Sequence, residues 1–91
     1  MTTTTNAVDP RSEAIRAALE AAFQPGELSV EDEGAQHRGH AGEGGGHFAV
    51  RIVSTRFDGL TAVARHRLVY EALRTIPVHA LRISAVSPHD R

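Results

Sequence analysis

In the second half of the chain, the spacing of apolar residues along the sequence changes twice. This pattern constrains the fold more than any other feature of the sequence. Residues 60–75 follow a helical period, and residues 78–86 return to the alternation of a strand. The strand that precedes them is apolar at every second position on one face: Phe48, Val50 and Ile52. A strand–helix–strand crossover brings its two strands parallel, in a right-handed arrangement. The sequence therefore predicts a parallel pair of strands with a helix packed against it.

The first half of the chain adds a helix and a strand. Asp9 and Pro10 predict a helix start, with Asp9 as the N-cap and Pro10 at the first helical position. The helix is expected to end at residues 25–26, which are Pro and Gly. Its inward face follows the i, i+3, i+4, i+7, i+8 spacing: Ile15, Ala18, Leu19, Ala22 and Phe23. Residues 28–31 then alternate between apolar and polar, as in a short strand.

Together these elements predict an α+β fold in the order α-β-β-α-β. Two strands joined by a loop run antiparallel, so the sheet is expected to be three-stranded and mixed, with both helices packed on one face. The domain is expected to span residues 9–86. A disordered N-terminal tail at 1–8 precedes it, and a C-terminal tail at 87–91 follows it.

Composition narrows the classes of function. The chain has 91 residues, no cysteine and a formal net charge of −1. It therefore cannot form disulfides or supply thiolate ligands, and it lacks a strongly basic nucleic-acid tail. No apolar run approaches the ~20 residues of a membrane span, and residues 1–8 lack the pattern of a signal peptide. We expect a cytoplasmic protein that does not bind membranes. With no cysteine nucleophile, no paired carboxylates framed by a pocket and no cofactor fingerprint, we expect no enzyme activity.

One loop concentrates residues that can bind metals. The stretch HRGHAGEGGGH holds three histidines and five glycines. If the last strand runs parallel to the second, His47 and His79 lie at the same end of the sheet as this loop. Imidazole is a good ligand for iron and zinc, and the acidic residues 31–33 could accept the second ring N–H of a ligand. A solvated glycine loop is the alternative; it stays open for His37 and is favoured for His40.

The glycines of this loop also match patterns of phosphate and nucleic-acid binding. Residues 39–42 spell the G-x-x-G of RNA-binding KH domains. That motif lies between two helices, and a phosphate loop opens into a helix N-terminus. The loop in this chain joins two strands, so neither interpretation fits its context.

The stretch RFDGLTAVARHRLVYEAL, at residues 56–73, resembles the BolA family, whose signature is a Phe-x-Gly turn followed by a helix bearing Arg-His-Arg. Three further segments agree, VEDEGAQHRGH, GGHFAVRIVS and VHALRI, so the resemblance covers residues 12–86. The chain departs from it at residues 32–35, where many relatives read Asp-Glu-Ser-His. The matching positions of the signature are Phe57, Gly59, Val63, Arg65, His66, Arg67, Tyr70 and Leu73.

The resemblance implies a fold similar to a class II KH domain and a role in iron–sulfur trafficking and iron homeostasis. BolA-like proteins pair with monothiol glutaredoxins and share a [2Fe–2S] cluster with them. By this correspondence His79 is the main metal ligand and His37 the loop ligand, with His40 as a substitute three residues away. The missing thiols would come from a glutaredoxin cysteine and glutathione, since such clusters are usually held by thiolates. No cofactor is expected in the isolated chain, and a weak homodimer is a further option.

The alternative that the resemblance implies is a DNA-binding transcriptional regulator of morphology and stress genes. Its candidate contacts are Arg65, Arg67 and Arg74 on the second helix. Arg65 and Arg67 are ~160° apart around the helix axis, so they do not form one patch. Arg51 and Arg82, on the open face of the sheet, form a competing surface.

The remaining histidines are given structural roles or none. The helical period places His66 beside Val69 and Tyr70, so we predict that its ring is a hydrogen-bonded part of the core. Phe57 and Gly59, in the turn before that helix, are structural as well. His47 is interpreted as a polar edge residue or a partner of a ligand, and His89 is assigned no role.

Overall fold

The computed structural model describes residues 10–33 and 46–90. Its elements follow the predicted order: α1 (Pro10–Phe23), β1 (Glu27–Asp32), β2 (His47–Val53), a short 3₁₀ turn (Thr55–Phe57), α2 (Ala62–Ala72) and β3 (Ala80–Val86). The second helix is shorter at both ends than the predicted residues 60–75. The last strand begins two residues later than predicted, so His79 precedes β3 instead of lying within it.

The three strands form one mixed sheet in the order β1-β2-β3. β1 pairs antiparallel with β2, with Val30 opposite Val50. β2 pairs parallel with β3, with His47 opposite Ala80. The structure therefore confirms the α+β fold and the parallel crossover.

The core lies between the sheet and the two helices. β2 contributes Phe48, Val50 and Ile52, each at most 2% exposed. These side chains and the buried residues of both helices belong to one cluster, which places both helices on the same face of the sheet. Leu81 and Ile83 of β3 pack against that cluster. Neither helix in residues 10–33 and 46–90 is long and apolar enough to cross a bilayer.

Helix α1 follows the predicted pattern and ends by a side-chain cap. Ile15, Leu19 and Phe23 are buried, whereas Ala22 is exposed, contrary to prediction. After the helix the chain turns through Gln24, whose φ is +47°. The carbonyl of Phe23 has no partner within a helix that ends there, and the buried Ser54 hydroxyl donates to it at 2.7 Å. Asp9, the predicted N-cap, lies outside the described residues.

Phe57 and Gly59, to which structural roles were assigned, lie in the turn before α2. Phe57 is fully buried, and its ring centroid lies 5.0 Å from that of Phe23. Gly59 has a φ of +74°, a conformation that a residue with a Cβ adopts only with strain. Helix α2 then starts at an N-cap, where the Thr61 hydroxyl accepts from the Ala64 N–H at 3.1 Å.

The inward face of α2 differs from the predicted one. Val69 and Leu73 are buried as predicted, but His66 and Tyr70 are exposed. The prediction that His66 lies in the core is therefore wrong. Arg65 takes the inward position one turn before Val69, and its side chain is only 12% exposed. An arginine can occupy such a place because its aliphatic stem packs while its guanidinium reaches polar partners.

Candidate functional site

Two histidines meet at the end of the sheet where β2 and β3 both begin. The ring centroids of His47 and His79 are 5.0 Å apart, and the rings are stacked with an interplanar angle of 21°. His47 is half-buried, and His79 is exposed. This confirms that the parallel crossover brings the two residues to one end of the sheet. His37 and His40 lie outside the described residues.

The backbone of His79 is fixed although it is not part of β3. Its N–H donates to the carbonyl of Gly46 at 2.9 Å, and the next N–H, that of Ala80, donates to the same carbonyl at 3.1 Å. Gly46 has a φ of +80° and directly precedes His47. One carbonyl therefore connects the residue before one histidine to the backbone of the other.

The end of β1 brings acidic side chains to the same end of the sheet. Asp32 lies opposite Phe48, the residue after His47. The carboxylate of Glu33 accepts from the Arg82 guanidinium of β3, with Nε to Oε1 at 3.2 Å. This hydrogen bond is the main reason that the pKa of Arg82 is raised. Within residues 10–33 and 46–90, no three His, Cys, Asp or Glu side chains lie close enough together to hold a metal ion. The only imidazoles that the described residues bring together at this end are those of His47 and His79.

The structure does not bring the three proposed DNA contacts together. Arg65 points inward, and its Nε donates to the Leu60 carbonyl at 2.9 Å and its Nη1 to the Ala85 carbonyl at 3.1 Å. Both of its terminal nitrogens also donate to the Asp90 carboxylate, at 2.7 and 2.9 Å. The guanidinium of Arg65, a predicted DNA contact, therefore links α2 to the end of β3, and its side chain is only 12% exposed.

Three exposed arginines among the described residues are paired with carboxylates. Arg74 pairs with Glu71 at 3.0 Å. On the open face of the sheet, Arg51 pairs with Glu27 at 2.9 Å, and Arg82 pairs with Glu33. These pairs offset the positive charge that a nucleic-acid surface requires.

A polar network at the opposite end of the sheet was not predicted. Residues 87–90, assigned to a C-terminal tail, fold back against the turn before α2. The buried Ser87 hydroxyl donates to the Asp58 carboxylate, and His89 Nδ1 lies 3.1 Å from the same group. Asp90 accepts from the Ser87 N–H at 3.0 Å and binds Arg65.

This network lowers the pKa of two carboxyl groups. The hydrogen bond from Ser87, and then that from His89, lowers the pKa of Asp58. The hydrogen bonds from Arg65, and then from the Ser87 backbone, lower the pKa of Asp90 to about 2. The group contains Ser, His and Asp, but the serine is 2% exposed and bonds to the aspartate instead of the imidazole. It therefore lacks the geometry of a nucleophile activated by a histidine base. Its sequence signal was the Ser-x-His-Asp spacing, which is typical of a local turn closed by side chains.

Comparison with known proteins finds a matching family and several similar sequences. The family described as BolA-like protein matches residues 19–90. BolA-like protein 1 of Mus musculus is 46% identical over 85 residues, which cover 90% of this chain and 61% of that protein. Protein BOLA1, chloroplastic, of Arabidopsis thaliana is 41% identical over 92 residues, which cover 92% of this chain and 58% of that protein. The chain thus spans less than two thirds of the length of either relative.

A solved structure agrees over nearly its whole length. The BolA domain of SufE1 from Arabidopsis thaliana superposes with a TM-score of 0.76 and is 46% identical in sequence. The match covers 90% of this chain and 96% of that one. The two-helix, three-stranded mixed sheet is therefore an architecture already observed by experiment.

Proposed function

This chain belongs to the BolA-like family, and from that premise we propose that it pairs with a monothiol glutaredoxin in the cytoplasm to hold a shared [2Fe–2S] cluster. The role of such a complex is iron–sulfur trafficking and iron homeostasis, and this chain is an accessory protein in it, not an enzyme. The stacked pair of His47 and His79 at one end of the sheet is the observation that carries the proposal. The segment with His37 leaves β1 and enters β2 at that same end.

The donor set of the chain fits half of a cluster site. Clusters of this type are held by four ligands, mostly thiolates, and imidazoles replace two of them in Rieske centres. With no cysteine, the chain can offer imidazoles only, from His79 and His37. A glutaredoxin cysteine and the thiol of glutathione complete the set. The cluster is the cargo of the complex, and the residues of this chain serve to hold it.

The two histidine ligands contribute unequally. His79 is anchored through its N–H to Gly46, so its backbone is in place before a cluster arrives. His37 belongs to a segment with four glycines, at residues 39, 42, 44 and 45. Glycine loses more conformational freedom on ordering than any other residue, and each residue fixed costs about 1–2 kcal/mol. His79 is therefore the dominant ligand, and His40 can substitute for His37.

The test is reconstitution of the complex from purified protein, monothiol glutaredoxin, glutathione, iron and sulfide. Visible absorption and circular dichroism report the cluster. His79→Ala should abolish the spectrum of the histidine-ligated cluster, and His37→Ala should leave a weaker and more labile one. His89→Ala is the matched control, because His89 lies at the opposite end of the sheet, beside Asp58. If His79→Ala assembles the wild-type cluster with the same glutaredoxin, the site assignment is wrong.

DNA binding is the second candidate, and one observation favours it. Arg67, Tyr70 and Arg74 are exposed at i, i+3 and i+7 of α2 and its end, so they lie along one outward face. A mobility shift with duplex DNA over a range of salt concentrations tests it, since each neutralised phosphate contributes a slope of about −0.9 in log K against log salt. Weaker binding and a shallower slope in Arg67→Ala would support this candidate. No shift, or no salt dependence, would remove it.

A further inference from the structure

Arg11 connects three segments of the chain behind the histidine pair. It lies in the first turn of α1, and its Nη1 donates to the Pro77 carbonyl at 3.0 Å. A Cβ placed on Gly46 would lie 2.6 Å from the same nitrogen and 2.8 Å from Arg11 Cζ. The guanidinium therefore packs directly on the backbone of Gly46. Its Cζ also lies 5.6 Å from the centroid of the buried Phe48 ring, which is within cation–π range.

The two backbone segments that Arg11 contacts are the ones that lead into the two histidines. Gly46 directly precedes His47, and its carbonyl accepts from the His79 N–H. Pro77 lies two residues before His79. A contact at both places limits how far the starts of β2 and β3 can move relative to each other, and the stacking of the two rings depends on that spacing.

We propose that Arg11 is a positioning residue of this site: its guanidinium holds Gly46 and Pro77 so that the imidazole of His79 stays stacked on that of His47 and ready to meet a metal group. The planar fork of arginine suits this role, because one edge donates to a carbonyl while the flat face lies against a glycine. Gly46 is required for the same reason, since any side chain there occupies the place of the guanidinium. The proposal concerns the free protein first, and only its consequence for a cluster rests on the proposed function.

The free protein provides the first test, by amide hydrogen exchange and by NMR contacts between the two imidazole rings. In Arg11→Ala, the amides of His79 and Ala80 should exchange about tenfold faster than in wild type. This is the smallest acceleration expected when a hydrogen bond from a charged donor is lost. The contacts between the rings should weaken as well. Amides of the β1–β2 ladder, such as that of Val50, report global stability and should change much less. The matched control is Arg16→Ala, which removes a half-buried arginine of α1 that lies 4.0 Å from Glu20.

Two further variants separate positioning from general stabilisation. Arg11→Lys keeps the charge and a donor for Pro77, so it should restore part of the protection. Gly46→Ala should reproduce the local effect of Arg11→Ala, because the new Cβ displaces the guanidinium, and it adds backbone strain at a φ of +80°. The proposal is overturned if Arg11→Ala matches Arg16→Ala at His79 and Ala80, or if all amides accelerate equally. Should Arg11→Ala fail to fold, amide exchange at His79 and Ala80 in Arg11→Lys decides the role of Arg11. The proposal is also overturned if Gly46→Ala leaves both the protection of these amides and the contacts between the rings unchanged.

The cluster provides the second test. In complex with glutaredoxin, Arg11→Ala should lose the cluster several-fold faster than wild type does, with the same visible spectrum at the start. A wild-type protein that assembles no cluster would contradict the proposed function, while the exchange data of the free protein would still decide the role of Arg11. A wild-type cluster whose lifetime is unchanged by Arg11→Ala would contradict the positioning role at the site.

Discussion

Two neighbouring positions on α2 should respond very differently to truncation. Val69 is completely buried, and Val69→Ala removes two methyl groups from the core. At ~0.8 kcal/mol for each buried carbon, with a further cost for the cavity left behind, the free energy of unfolding should fall by about 2–3 kcal/mol. For a domain of this size each kcal/mol lowers Tm by roughly 4–8 °C. His66 is exposed on the adjacent side of the helix, so His66→Ala should change the free energy of unfolding by less than about 0.5 kcal/mol.

Urea denaturation measures both effects. Far-UV circular dichroism is the suitable signal, because the chain has no tryptophan and only one tyrosine. With the m-value unchanged, the shift of the transition midpoint gives the change in stability. Tyr70→Ala, at a position that is 51% exposed, is a larger truncation on the same outward side. If His66→Ala destabilises the protein as much as Val69→Ala does, the inward face of α2 is the one first predicted from the helical period. The assignment of Arg65 to that face would then be wrong.

Three further substitutions test the turns and the network at the end of β3. Ser54→Ala should cost about 1–2 kcal/mol of unfolding free energy, because it leaves the last carbonyl of α1 without its buried donor; no loss in a thermal melt would contradict this. Gly59→Ala, at a φ of +74°, should cost about 1–2 kcal/mol from backbone strain, whereas Gly26→Ala, with open space around it and an ordinary φ, should be nearly neutral. Asp90 has a pKa lowered from 3.8 to about 2 in the folded state, so its stabilising effect is complete above pH 3.8 and is lost as the pH falls toward about 2. Asp90→Asn should therefore flatten the acid side of the stability–pH curve, and an unchanged curve would show that Arg65 does not stabilise the ionised form.

The fold could be predicted from the sequence because each element keeps its own apolar period. The alternation in residues 47–53 and the helical spacing in residues 10–23 are local patterns that survive in the structure with only small changes at the ends. The parallel crossover followed from the order of the elements, and it placed His47 and His79 at one end of the sheet. That part of the candidate site was therefore a consequence of topology, whereas the stacking of the two rings was not predicted.

The predictions that failed share a different physical cause. The polar contacts that a side chain can make decide whether it faces inward, and the spacing of apolar residues does not show those contacts. A helical wheel places arginine outside and a lone histidine inside, but Arg65 is one turn before Val69 and finds two carbonyls and a carboxylate within reach. His66, one residue further on, is rotated out of that stripe. The partner of Arg65 is Asp90, 25 residues away in a segment with no apolar period. Nothing local in the sequence connects them, so the error on α2 and the missed network at the end of β3 have one origin.

The polar side chains at the two ends of the sheet differ in how far they are committed to contacts within the fold. At the end where β3 finishes, Asp58, Ser87 and Asp90 are hydrogen-bonded among themselves or to Arg65, so these polar side chains are committed to holding the chain. At the end where β2 and β3 begin, the backbone is held by Gly46 while the imidazole of His79 stays exposed. The seven residues of β3 separate the two ends by about 20 Å, at the usual rise of a strand. Under the proposed function, a cluster bound and released at the histidine end would therefore leave the hydrogen bonds of Asp58, Ser87 and Asp90 in place.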